Sequence, residues 1–190
     1  EVVIVPIYKS DDEFENIEQA ALQVKKDLEE KGISVKFDSR KTHKPGWKFA
    51  EYELKGVPLR LAIGNRDIQN GTIEIARRDT LEKEIIQIDE IDIKVQDLLS
   101  KMQKSLFDKA IKFREENTYH ADSKEDFVKF IEQGGFVYAH WDGTSDTEEI
   151  IKKQTKATIR CIPLDLNNEE GICLFSGKRS KQRVLFAKAY

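Results

Sequence analysis

The chain has 190 residues, 39% of them hydrophobic, with 35 acidic and 32 basic side chains for a formal net charge of -3. That length supports one large domain or two small ones, and the acidity argues against a general-purpose DNA binder. No apolar run reaches membrane-spanning length and no signal sequence opens the chain, so a soluble, cytoplasmic protein without a membrane partner is expected.

Glu1 leads directly into the β-branched run Val2 to Ile7, which reads as a strand buried on both faces of a sheet. That abrupt start also reads as a cut at a domain boundary, with upstream machinery missing. Ser10 and Glu13 form a capping box ahead of a helix whose apolar residues, Phe14, Ile17, Ala21, Leu22, Val24 and Leu28, recur at helical spacing. Gly32 ends it, Ile33 to Phe37 alternates as a second strand, and the first forty residues make one βαβ unit with parallel pairing. The first turn of that unit, Tyr8-Lys9-Ser10-Asp11-Asp12, has no glycine-rich phosphate loop, and its acidity repels phosphate. A nucleotide-cofactor domain is therefore disfavoured.

A polar connection from Asp38 to Pro45 follows, in which His43 has no neighbour at ligand spacing and reads as a solvated loop residue. The stretch Gly46 to Gly56 predicts a helix with Phe49 and Glu53 on one face and Trp47 near its start; the competing reading makes Trp47, Phe49 and Leu54 core. Strands over Pro58 to Gly64 and Thr72 to Arg78, joined by a loop ending in Asn70-Gly71, predict an antiparallel hairpin. Arg60 lies on the strand face opposite Leu59, Leu61 and Ile63. It is either a surface charge on an edge strand or a planar donor for base edges or phosphate. Leu81 to Ile88, begun by Lys83 on its basic side, supplies a fifth strand. A long helix from Ile91 to Asn117 carries the stripe Val95, Leu98, Leu99, Met102, Leu106, Ala110, Ile111 and Phe113.

Ser123 with Asp126 opens a shorter helix closed by Gly134-Gly135, Phe136 to Trp141 reads as a strand, and Ser145 with Glu148 starts another capped helix. Strands are predicted over Ala157 to Pro163, Ile172 to Phe175 and Arg183 to Ala187. The fold class is thus α/β over residues 1–105, a mixed five-stranded sheet flanked by helices, followed over 106–190 by a small α+β domain. Cys161 and Cys173, far apart in sequence, fit a reducing compartment better than a disulfide framework.

Charge is segregated. Residues 40–83 hold ten basic and six acidic side chains, whereas residues 1–39 hold five and ten. Rings, carboxylates and arginines therefore coincide around Gly46 to Arg78, a mixture suited to hydrogen bonding and stacking with unpaired bases. Trp47, Lys48 and Arg78 are further candidate RNA contacts there. No nucleophile lies beside a base, so a hydrolytic role has no candidate residues.

The segment Gly46-Trp47-Lys48-Phe49-Ala50-Glu51-Tyr52-Glu53-Leu54-Lys55-Gly56-Val57-Pro58-Leu59-Arg60, taken with the tail Gly177-Lys178-Arg179-Ser180-Lys181-Gln182-Arg183-Val184-Leu185-Phe186-Ala187-Lys188-Ala189-Tyr190, resembles the C-terminal part of prolyl-tRNA synthetases of the archaeal and eukaryotic-like type. The resemblance covers essentially the whole chain and implies a class II anticodon-binding domain followed by the extra C-terminal domain. It implies tRNA(Pro) as partner, with the base-stacking aromatic at Phe49, the reading carboxylate at Glu53, a strand arginine at Arg60, a basic-acidic pair at Arg66 and Asp67, and a lysine at Lys83. It implies a homodimeric ligase whose catalytic domain, with its ATP and Mg, lies outside this sequence, and a chain end at Tyr190 directed toward that domain. Many relatives bind zinc through four cysteines; here Cys161 and Cys173 match two positions, Ser176 replaces a third, and zinc is not expected. Two alternatives stand beside this reading: the equivalent module of a histidyl, threonyl or glycyl enzyme, and a non-enzymatic α/β interaction or small-ligand domain.

Overall fold

A computed structural model describes residues 1–164 and 169–188. The chain divides into two compact units, Glu1–Leu106 and Phe107–Tyr190. In the first, the order is β1 (Val2–Ile7), α1 (Asp11–Glu30), β2 (Val35–Phe37), α2 (Pro45–Leu54), β3 (Leu59–Gly64), α3 (Asn65–Asn70), β4 (Thr72–Arg77), β5 (Lys83–Gln87) and α4 (Ile91–Glu116), the last running on into the second unit.

The five strands form one mixed sheet in the order β2-β1-β3-β4-β5. β1 pairs in parallel with β2 and β3, and the β3–β4 and β4–β5 pairs are antiparallel. β1 and β3 take the inner positions because their apolar runs are buried on both faces. One face, with Val2, Ile4, Leu59, Leu61, Ile63, Ile73 and Ile75, packs against α1 and the start of α4 to form the main core. On the other face, Val3 and Val5 pack beneath α2 with Tyr52, Phe49 and Val57.

Helix α1 begins where the capping residues predict, with Ser10 Oγ accepting from the Glu13 N–H at 3.3 Å. Its buried stripe is Phe14, Ile17, Ala21, Val24 and Leu28; Leu22, one step off that stripe, is exposed. The predicted 65–71 loop is instead the short helix α3. The Asp67 carboxylate accepts from Gly64 N–H at its start, and Gly71, at a φ of 65°, closes it in the left-handed conformation that glycine adopts freely. Along α4, Ile91, Val95, Leu98 and Met102 are buried, but Leu106 and Phe113 are 54% and 69% exposed, so the predicted stripe ends after Met102.

The second unit contains β6 (Thr118–His120), α5 (Lys124–Gln133), β7 (Phe136–His140), α6 (Ser145–Thr155), β8 (Ala157–Cys161), β9 (Gly171–Ile172), β10 (Arg179–Ser180) and β11 (Arg183–Lys188). β6-β7-β11-β8 form a four-stranded sheet, and β9 and β10 form a separate ribbon. Its core joins Phe127 and Ile131 of α5 and Ile151 of α6 to Val137, Ala139, Val184 and Phe186; the Phe127 and Phe186 rings meet edge to face at 5.1 Å. Ser123 caps α5 as predicted, whereas Thr144, not Ser145, caps α6 by accepting from Thr147 N–H. Of the strand predicted over Ile172 to Phe175 only Ile172 lies in one, and residues 174–176 form a turn instead. Tyr190 lies outside the described residues, as does any contact of the chain end.

Candidate nucleic-acid interface

The register of α2 decides which of its side chains face solvent. Lys48 and Tyr52, four residues apart, are 1% and 3% exposed and form its buried stripe. Lys48 Nζ donates to the Asp38 carbonyl at 2.9 Å and lies 3.6 Å from the Asp38 carboxylate, itself buried. Lys48 is therefore a structural anchor, and its expected RNA contact is corrected: its ammonium does not reach the surface. Arg40 closes the network, donating to both Asp38 oxygens and to Glu51. Burial pushes the Asp38 carboxyl up, but the Arg40 hydrogen bonds and the nearby Lys48 and Arg40 charges outweigh it and hold it well below the carboxylate range. Glu51, bonded by Arg40 and Lys55, is lowered to about 2.

With the Lys48–Tyr52 stripe turned inward, Phe49 and Glu53 fall on the adjacent flank of α2, facing β3 and β4. Phe49 is half-buried and Glu53 exposed. They line a narrow cleft with Tyr52, Val57, Pro58, Arg60, Ala76, Arg77 and Arg78. Arg60, on the inner strand β3, is buried rather than a surface charge on an edge. Its guanidinium carbon lies 3.6 Å from the Phe49 ring centroid, and Nη2 is 3.3 Å from Glu74 Oε1. Burial pulls the Arg60 pKa down, and Glu74 and Glu53 partly offset that pull. Arg78 Nε donates to the Glu53 carbonyl at 2.8 Å and ties the end of α2 to the strand it faces.

Strand register extends this surface. Arg60 pairs with Ala76 and Ala76 with Lys83, so exposed Lys83 occupies the same transverse row on the same face. Arg66 and Asp67 lie instead on α3, beyond the far end of β3. From Arg60 that is six residues of chain, on the order of 20 Å. Arg66 is exposed and engages no partner among the described residues, while Asp67 is committed in part to its 2.8 Å bond with Gly64 N–H. Phe49, Glu53, Arg60, Arg78 and Lys83 are thus gathered near one end of the sheet face, and the Arg66–Asp67 pair is not. Trp47 is 48% exposed and Leu54 89% exposed, which removes both from the core. His43 is not a free loop residue, because its ring stacks on Trp47 at 3.8 Å. The sequence reading missed Glu74 and the Asp38 network; the alternation Thr72-Ile73-Glu74-Ile75-Ala76, which puts Glu74 on the Arg60 face, was the available signal for the first.

In the second unit, Cys161 is exposed and Cys173 buried. The turn after Cys173 is closed by the Gly177 N–H to Cys173 carbonyl bond at 2.9 Å, and Ser176 Oγ donates to Asp142 Oδ2 at 2.7 Å. Asp142 also accepts from Thr144 and Thr147. Among the described residues no group of three or more His, Cys, Asp or Glu is placed to hold a metal ion, and Ser176, at the third cysteine position, bonds Asp142.

Residues 1–104 match the family model described as Anticodon binding domain. The chain belongs to that family. Following this anticodon-binding unit, residues 124–190 match the model described as Prolyl-tRNA synthetase, C-terminal. The whole chain is 57% identical over 190 residues to the Proline--tRNA ligase of Porphyromonas gingivalis, of which it covers 38%. It is 51% identical over 191 residues to the protein of the same name from Amoebophilus asiaticus and 53% identical to that from Flavobacterium johnsoniae, covering 39% of each. The chain thus spans under two fifths of the length of these curated relatives. No helix among its described residues is long and apolar enough to cross a membrane.

Proposed function

We propose that this chain reads the anticodon of a proline tRNA on behalf of a ligase that joins proline to that tRNA with ATP, the joining chemistry residing in a catalytic region outside these 190 residues. The observation that carries the proposal is the match along the entire chain to proteins named Proline--tRNA ligase at 50–57% identity. The same reading makes the full-length ligase a cytoplasmic homodimer and leaves this part of it without a metal cofactor. The match of residues 124–190 favours a proline enzyme over a histidyl, threonyl or glycyl one.

The geometry supports this reading chemically. Proline anticodons end in two guanines, each presenting N1–H and N2–H donors beside an O6 acceptor. Exposed Glu53 accepts from the donors, Arg60 and Lys83 donate to acceptors or phosphate, and Phe49 stacks, which contributes about 1–3 kcal/mol per base. Arg66 and Asp67, at the other end of β3, serve a second nucleotide of a splayed loop. Binding of tRNA transcripts that differ only in the anticodon, at two salt concentrations, tests the proposal. Anticodon-dependent affinity with a modest salt slope is expected, and Glu53→Ala should weaken cognate binding far more than binding of unrelated tRNA. A steep salt slope without anticodon preference would reduce the surface to a general polyanion site.

A further inference from the structure

We propose that Glu74 is a positioning residue that presets Arg60 for its base; this rests on the anticodon-reading function above. The Arg60 side chain is 8% exposed, its guanidinium lies against Phe49 at 3.6 Å, and Nη2 pairs with Glu74 at 3.3 Å. Nη1 is buried and finds no hydrogen-bond partner among the described residues. A buried guanidinium N–H without an acceptor is costly, so an arrangement that keeps one in the free chain is poised for an acceptor from a ligand.

Glu74 reaches Arg60 because of strand register. It pairs directly with Ala62, and Arg60 pairs with Ala76, so the two charged side chains share a face diagonally across β3 and β4. The small alanines at the other two corners leave that diagonal open. Glu74 and Phe49 together fix the guanidinium on two sides, and Nη1, covered and without an acceptor in the free chain, is left for a base that opens the cleft which Arg60 lines with Phe49 and Glu53. Guanine offers such acceptors in O6 and N7.

The sign of one substitution separates this role from a bland one. Glu74 is about one third exposed, on a face shared with Lys83. If it were only a surface acid repelling phosphate, its removal would tighten binding of every RNA. As a positioning residue, its removal weakens the cognate anticodon alone. The test uses the 190-residue chain with RNA hairpins carrying a proline anticodon or a scrambled one. Glu74→Ala should weaken the proline hairpin about tenfold and leave the scrambled one unchanged or slightly tighter. Glu74→Gln, which keeps an oxygen for Arg60, should retain most of the discrimination, and Glu74→Ala should cost nothing further in an Arg60→Ala background. Tighter binding of both hairpins by Glu74→Ala, or an equal loss with and without Arg60, overturns the proposal. If Arg60→Ala still discriminates, the assignment of Arg60 fails and Glu74 falls with it; if it loses discrimination while Glu74→Ala does not, anticodon reading stands and only the Glu74 role is overturned.

Discussion

Lys48 and Phe49 are neighbours in sequence with opposite environments, and the helical rotation of about 100° per residue explains both. Lys48 points under the helix into a network where every charge is matched, and Phe49 emerges on the flank beside Arg60. Because Asp38 and Lys48 are both 1% exposed, removing one strands the other. Asp38→Ala should therefore destabilise the first unit by about 3–5 kcal/mol in denaturant titrations. The Asp38 carboxyl lies below its ordinary value of 3.8. A depressed carboxyl stabilises the fold fully above that value, and the contribution is lost as pH falls below it. The wild-type chain should lose stability on acidification below about pH 4, and Asp38→Asn, already weaker at neutral pH, should show a flatter acid limb over the same range.

At the scale of elements, two C-terminal features give opposite predictions. Lys156 ends α6 at a φ of 63°, a left-handed position that glycine occupies without a Cβ penalty, and it is exposed. Lys156→Gly should stabilise the chain by about 0.5–1 kcal/mol, read as a raised Tm. Asp142, by contrast, joins the end of β7, the start of α6 and the turn after Cys173. Burial raises its carboxyl, yet bonds from Ser176, Thr147 and Thr144 lower it to about 2. Asp142→Ala should cost about 1–3 kcal/mol, and a chelator should leave the Tm unchanged, because hydrogen bonds hold this turn. A Tm that falls on chelation would restore a metal to it. The elements legible in sequence are those whose pattern is long enough to be unambiguous: the apolar runs of β1 and β3, and the capped, periodic α1 and α5. β6 and β10 have three and two residues, too few to show alternation, and α3 has too few turns for a helical period. The outer half of α4 keeps a helical apolar spacing, but its burial depends on what packs there, which spacing does not encode. The same holds within the cleft. Phe49 and Glu53 share a face by local geometry alone, whereas the buried state of Arg60 depends on which strand lies at the sheet edge.

At the scale of the whole molecule, the net charge of -3 means that binding to RNA cannot come from bulk attraction and must come from local cations. Arg60 and Lys48 are buried, and Arg40 and Arg77 are held in ion pairs with acids. Lys55 is exposed but paired with Glu51, which leaves Arg78 and Lys83 near the cleft, and Arg66 at the far end of β3, as exposed cations for phosphate. Three phosphate contacts on a single-stranded loop predict a slope of about -2 in a plot of log K against log salt. The triple variant Arg66→Ala, Arg78→Ala, Lys83→Ala should flatten that slope toward zero and weaken cognate and scrambled anticodons by similar factors. Glu53→Ala should leave the slope in place and remove the preference between them. Discrimination carried by a carboxylate and salt dependence carried by three cations are then separable in one set of titrations. If the triple variant kept the slope, the phosphate-binding surface would lie elsewhere on the chain, and residues 156–188, basic in composition, would be the next to substitute.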